Sequence, residues 1–392
     1  MNRIGILLYY IGSLKFNPSI VNSAKMLIKN GYKVDILKPY NPDEGIESNN
    51  DLNIIHVCRY KSNPVARVIS LLKFIKSSLF YIKNKNRNYK VLIGIDAYGL
   101  IISGILKYLL KIPLVYFSLE ILSPKFNYIS LKKKNILQRN AYILHHYLIK
   151  FFERFFHKQV LFTIIQDKNR WEILREINRL DNNSKAIFVP NSPLKDEGTI
   201  ENTDYLHNKY GIPQNKKIVL YAGSLGEWTG IDKVFNSISA WPDEVVFVIH
   251  GRGMPQFIDY LKGNIMANYS HRVILSLDQL SENEYNLLVN SADIGIGWYK
   301  DLEDPNIYTI GASSGKIFYY LKYGLPVITN RLPDLVEIVE RNNCGVCVSS
   351  EKDIGYAIKQ ILLNYKFYSD NAKKCFETYE FSIHYQEVIN AV

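Results

Sequence analysis

The feature that most constrains this chain is an alternation, sustained from end to end, of short Ile, Val and Leu runs with longer stretches whose apolar residues fall at helical spacing. Runs at 4–10, 33–37, 53–57, 91–95, 113–117, 160–165 and 186–189 read as strands. Their apolar residues are nearly continuous rather than alternating, which means burial on both faces. Parallel strands need crossover connections, and helices supply these while covering the sheet. The fold class is therefore α/β, built from doubly wound parallel sheets. The pattern pauses at Pro190-Asn191-Ser192-Pro193 and through a polar stretch to about Asn208, then resumes with strands at 217–221, 245–249, 272–275, 293–297, 326–329 and 345–348. A length of 392 residues leaves room for two such domains. We expect Rossmann-like domains over 1–190 and 191–378, facing a central cleft because ligands bind outside the carboxyl ends of the strands. A terminal helix over 379–392 is expected to pack back on the first domain.

Charge divides the chain at the same place. The net charge is +11, but residues 1–190 hold 30 Lys and Arg against 12 Asp and Glu, whereas 191–392 hold 18 against 25. A basic half suits an anionic partner. No nucleic-acid-binding module accompanies it, so nucleic acid is not expected. Four scattered cysteines fit a reducing compartment, and Cys344-Gly-Val-Cys347 has no second pair to make a metal site. The most apolar stretch, 100–122, is interrupted by Lys107, Lys111 and Pro113 and is too broken to span a bilayer. The apolar N-terminus lacks a small-residue cleavage site and reads as a first strand rather than a signal peptide. The expected location is cytoplasmic, with peripheral contact on the inner membrane face. The aromatic helical stretch 142–156, with Lys132 to Lys134, Lys150, Arg154 and Lys158, can rest on anionic lipid, or it is an ordinary amphipathic helix with a charged face. His145 and His146 within it read as packing residues.

The chemistry concentrates in 291–297 and 311–328, which run strand, polar loop, small-residue helix start, helix, glycine stop and next strand. Free N–H groups and the positive dipole end make such a start an anion site, and Ala312, Ser313, Ser314 and Gly315 permit close approach. Lys316 falls in the first turn, where the dipole opposes a cation unless an anion compensates. The alternative is a solvated lysine with Ser314 as a plain N-cap.

These residues also carry a resemblance. Ala292-Asp293-Ile294-Gly295, Ser313-Ser314-Gly315-Lys316 and Tyr320-Leu-x-x-Gly-x-Pro-Val-Ile328 resemble the donor-binding domain of GT-B glycosyltransferases of the family 4 type, also called group 1. Tyr221-Ala222-Gly223-Ser224-Leu225, Ile249-His250-Gly251-Arg252-Gly253, Val189-Pro190-Asn191-Ser192-Pro193, Gln166-Asp167-x-x-Arg170 and Phe117-Ser118-Leu119-Glu120 extend it over most of the chain. The resemblance implies a nucleotide-sugar donor in the second domain, a UDP-sugar ahead of a GDP-sugar, and a glycan or lipid-linked acceptor in the first. It implies retention of anomeric configuration, and no metal or other cofactor; Asp301, Glu303 and Asp304 lie in a polar loop without an Asp-x-Asp motif. The donor residues it points to are Gly12, Gly223, Ser224, Leu225, Arg252, Ala312 to Lys316 and Tyr319. Two glutamates common in the family fall at Gly311 and Tyr319, and its usual Arg and Lys fall near Ser224 and Thr229. Positive charge for the diphosphate must then come from Lys316 and Arg252. Glu120 and Asp96, each just past a strand of the first domain, are the candidates to accept or orient the acceptor proton, with capping or surface roles as the alternative. A nucleotide-sugar epimerase or phosphorylase, or a degenerate partner subunit, are the competing functions.

Overall fold

The computed structural model describes residues 3–8, 13–14, 17–41, 47–61, 63–84, 88–123, 135–195, 204–300 and 304–392. Gly12, Lys132 to Lys134, Asp301 and Glu303 lie outside these. The chain divides into two compact units, Met1–Pro190 with Phe381–Val392, and Asn191–Glu380.

The first unit runs β1 (Arg3–Leu7), α1 (Pro18–Lys29), β2 (Lys33–Pro39), β3 (Leu52–Cys58), α2 (Pro64–Asn84), β4 (Tyr89–Ile95), α3 (Asp96–Leu110), β5 (Leu114–Phe117), α4 (Ile136–His157), β6 (Thr163–Ile165), α5 (Lys168–Asn178) and β7 (Ala186–Phe188). The strands form one sheet in the order β3-β2-β1-β4-β5-β6-β7, all neighbours parallel. The order reverses direction between β1 and β4, which makes that pair the switch point of the sheet. Here α3 lies directly on backbone. A β-carbon on Gly99 would come within 2.3 Å of the Leu7 carbonyl oxygen, and one on Gly94 within 2.6 Å of the Gly99 carbonyl oxygen, so both positions need glycine. Of the expected strand at 160–165, β6 covers Thr163–Ile165, and bonding to β5 already begins with the Leu161 N–H, which donates to Leu114 O at 2.8 Å.

The second unit runs α6 (Tyr205–Tyr210), β8 (Lys217–Ala222), α7 (Ile231–Val234), β9 (Val245–His250), α8 (Pro255–Asn268), β10 (Val273–Ser276), α9 (Glu282–Asn290), β11 (Ile294–Gly297), α10 (Pro305–Tyr308), α11 (Gly315–Lys322), β12 (Val327–Asn330), α12 (Pro333–Leu335), β13 (Gly345–Val348), α13 (Ile354–Leu363) and α14 (Tyr365–Tyr379). Its sheet, β10-β9-β8-β11-β12-β13, is again wholly parallel, with the switch point between β8 and β11. The central strands β8, β9 and β11 are buried along almost their whole length, as continuous apolar strands under helices must be. The short α12 runs on into a wide π-type turn, Val336–Glu340, which turns Ile338 and Val339 into the core. The last helix, α15 (Phe381–Ala391), belongs to the first unit, where it packs on α1 with Phe381, Tyr385 and Val388 buried.

Candidate functional site

In the second unit the ladder between β8 and β11 stops early. It pairs Val219 with Ile294 and Leu220 with Gly295 and goes no further, so the strands part toward their carboxyl ends. Tyr320 of α11 spans the opening. Its hydroxyl accepts from the Ala222 N–H (2.8 Å) and donates to the Ile296 carbonyl (3.3 Å), satisfying one orphan group on each strand. The ring reaches that point over Gly295, where a β-carbon would lie 2.3 Å from it.

Residues 223–225 follow β8 directly beyond this opening. Gly223 and Lys316 meet there: a β-carbon at Gly223 would sit 3.2 Å from Lys316 Cε. The Lys316 ammonium lies over the rings of Tyr221 (4.3 Å to the centroid) and Tyr299 (4.7 Å) and donates to the Tyr221 hydroxyl at 3.1 Å. Quadrupoles of two rings hold a cation without neutralising it. Among the described residues no carboxylate forms an ion pair with Lys316, and desolvation lowers its pKa, the nearby Tyr299 opposing the shift. Burial raises the Tyr221 and Tyr299 hydroxyls, so both stay neutral.

The helix start differs from the sequence expectation. Gly311–Ser313 form a 3-10 turn in which the Ser313 and Ser314 N–H groups donate to Ile310 and Gly311 carbonyls, so these two are not free for a ligand. Those of Gly315 and Lys316, the first two residues of α11, fall where a helix has no partner of its own for them. Ser314 makes no side-chain cap; its hydroxyl bonds instead to that of Tyr299. The turn is held from outside by Asn191, whose N–H donates to Ala312 O (2.8 Å) and whose Nδ2 donates to Ser313 O (3.1 Å). Leu225 is buried and pairs with Gly253 in an isolated parallel bridge, its N–H donating to Arg252 O at 2.7 Å. That bridge carries Arg252, exposed, onto the same rim as the exposed Ser224. At Gly311 and Tyr319, where the resemblance places glutamates, the chain is packed otherwise. A β-carbon on Gly311 would stand 2.7 Å from that of Asp334, and the Tyr319 ring packs edge-on against Tyr285 at 5.2 Å. Beside Tyr285, His250 bonds to the Ser276 hydroxyl at 2.8 Å, and burial pushes its pKa down to about 4, leaving it neutral.

In the first unit Asp96 opens α3 with a left-handed backbone (φ 52°). Its Oδ1 accepts from the N–H groups of Leu119 (2.8 Å) and Glu120 (2.9 Å). Asp96 is thus tied to Glu120 by backbone, and the exposed Glu120 carboxyl is positioned by that loop. Burial raises the Asp96 pKa to about 7 against the lowering effect of the Glu120 N–H bond. The same loop is clamped by the Gln166-Asp167-x-x-Arg170 motif. Gln166 Nε2 donates to Ser118 O, Arg170 Nη2 to Leu119 O, both at 2.9 Å, while Asp167 caps α5. The sequence singled out these motifs but not these jobs. Tyr299 was signalled only by its place two residues beyond β11, at the switch point.

No protein-family model matches the chain. Two curated relatives align over short segments. One is chitobiosyldiphosphodolichol beta-mannosyltransferase of Debaryomyces hansenii, 29% identical over 111 residues, 28% of this chain and 22% of the relative. The other is WcaI of Escherichia coli (strain K12), assigned as a colanic acid biosynthesis glycosyl transferase, 41% identical over 51 residues, 13% of this chain and 12% of the relative. The chain therefore spans less than a quarter of the length of the curated relatives it matches. Solved structures match throughout. Sucrose-phosphate synthase from Thermosynechococcus elongatus superposes with TM-score 0.72 at 14% identity, covering all of both chains. HepE of Anabaena, in complex with UDP and glucose, gives 0.70 at 13% identity over 100% of this chain and 99% of that one. WaaG, a glycosyltransferase involved in lipopolysaccharide biosynthesis, gives 0.67 at 15% over 99% of both. The chain has the GT-B fold, the architecture of group 1 glycosyltransferases.

Proposed function

We propose that this protein is a glycosyltransferase that moves a sugar from a nucleoside-diphosphate sugar, a UDP-sugar first, to a hydroxyl of a glycan or lipid-linked glycan. Retention of configuration, metal-independent transfer, and a place in surface polysaccharide or glycoconjugate synthesis at the inner membrane face complete the reading. The observation that carries it is the Lys316 ammonium, held at the β8/β11 switch point by two neutral tyrosine rings, against a glycine, with no described carboxylate paired to it. A preorganised, half-buried cation beside a helix start suits the charge that develops on a departing diphosphate. Arg252 on the neighbouring turn is the second cation in this reading, and Gly223 lets phosphate oxygens approach backbone. HepE, a structure of the same fold, is described in complex with UDP-glucose, which supports the donor class. On the acceptor side Asp96 and Glu120 would orient or deprotonate the incoming hydroxyl.

The experiment is UDP calorimetry together with transfer across a panel of nucleotide sugars. Lys316→Ala should lose about 100-fold or more in transfer rate while keeping the wild-type unfolding midpoint. Unchanged transfer would remove Lys316 from the mechanism. Absence of any nucleotide binding by the wild-type chain would instead favour a degenerate partner subunit.

A further inference from the structure

Helix α4 is amphipathic in the wrong sense for a helix that packs on a core and faces water. Its buried residues are His145, Ile149, Lys150, Glu153, Phe156 and His157, four of them ionisable. Its exposed stripe is Leu144, Tyr147, Leu148, Phe151, Phe152 and Phe155, spaced three, four, seven, eight and eleven residues from the first and 41–62% exposed. The inner face is locked in that orientation. Lys150 pairs with Glu153 at 2.7 Å and donates to Leu122 O at 3.0 Å; Glu153 also accepts from the Tyr116 hydroxyl (3.0 Å) and Asn178 (3.2 Å), and His157 bonds to Thr163 at 2.7 Å. Rotating the helix to hide its phenylalanines would break every one of these bonds. The apolar stripe is therefore what this helix presents outward.

The neighbouring surface continues it. Helix α2, which packs against α3 and α4, exposes Ile69, Leu72 and Phe80 together with Lys73, Lys76 and Lys83. There is no Asp or Glu anywhere in α2, and the single acid of α4 is the buried Glu153. Exposed apolar side chains gathered on two helices that pack together mark an interaction site. Its flanking charge selects the partner. A second copy meeting this face through the same two helices would bring lysines against lysines, the one acid between them being the buried Glu153, whereas an anionic lipid surface takes the aromatic stripe at its headgroup–acyl boundary and the lysines at its phosphates.

We infer that the exposed faces of α4 and α2 form a monotopic docking surface for an anionic bilayer, with Phe151 and Phe155 inserted and Lys73 and Lys76 on the headgroups. Among the described residues no helix is long and apolar enough to cross a membrane, so the contact is peripheral. The inference extends the membrane-side part of the proposed function, but vesicle binding needs no donor sugar, and the two are read separately.

The test is flotation of the full chain with vesicles of phosphatidylcholine alone and of phosphatidylcholine mixed equally with phosphatidylglycerol. Binding is expected only to the mixed vesicles, and it should weaken as salt is raised. Phe151→Ser/Phe155→Ser should weaken it by about tenfold or more, with the wild-type unfolding midpoint because both side chains are exposed. Lys73→Glu/Lys76→Glu should abolish the preference for anionic lipid. Equal binding of either variant and the wild type, no binding of the wild type, or a dimer in sedimentation that the Phe variant dissolves would each overturn the inference. Sugar transfer to a soluble acceptor should persist in both variants, and its loss would bear on the function rather than on docking.

Discussion

Replacing Tyr320 by phenylalanine removes one oxygen atom at the point where β8 and β11 separate, and the consequence can be worked out from the bonds it makes. The side chain is fully buried, so no water replaces the hydroxyl. The Ala222 N–H loses a 2.8 Å acceptor and is left unsatisfied, at a cost of about 1–3 kcal/mol. The bond to Ile296 O is long, at 3.3 Å, and adds little. A loss of about 2 kcal/mol lowers the melting temperature of a unit this size by about 4–8 °C. Urea unfolding followed by the fluorescence of the buried Trp241 and Trp298 reports on this unit. Tyr356→Phe, at a position 73% exposed, is the control and should stay within about 0.5 kcal/mol of wild type. Because Ala222 leads into Gly223 and the rim against Lys316, UDP affinity should fall with stability in Tyr320→Phe and not in the control. A Tyr320→Phe chain as stable as the control would refute the hydroxyl as the pin between the two strands.

Two further substitutions probe the first unit. Asp96 ionises near its ordinary 3.8 when unfolded and at about 7 when folded, so the folded state holds the extra proton between those values and stability falls as pH rises through that window. Asp96→Asn should flatten that part of the thermal-stability profile, and parallel profiles would show that Asp96 does not titrate there. Glu153→Gln strands the buried Lys150 ammonium and should cost about 3–5 kcal/mol in urea unfolding monitored at Trp171, whereas Lys150→Met/Glu153→Leu should recover part of it, the Tyr116 hydroxyl and Asn178 still lacking their acceptor. A single variant as stable as the double would mean that the pair does not set the orientation of α4.

Much of the architecture was legible in the sequence because buried parallel strands leave an unmistakable mark. Continuous apolar runs at 217–221, 245–249 and 293–297 could be little else, and the pause after Val189 falls where the two compact units part. The glycine-rich helix start with Lys316 was legible for the same local reason: small residues and a first-turn cation are written next to each other. Its details were not. The N–H groups of Ser313 and Ser314 are spent in a 3-10 turn, a choice made by packing against Asn191, more than a hundred residues earlier in the chain.

What the sequence by itself determined is the pair of doubly wound sheets, the place of the small-residue helix start with Lys316, and the basic character of residues 1–190. Each follows from neighbours along the chain, through periodicity, turn chemistry and charge. Only the tertiary structure decided which groups meet: Lys316 with the rings of Tyr221 and Tyr299, Asp96 with the 119–120 amides, Tyr320 between two parting strands. It also decided which face of α4 turns inward. Hydropathy alone would bury its phenylalanines, but the partners of Lys150, Glu153 and His157 lie on β5, β6, α5 and the segment after β5, and those bonds hold the polar face inside.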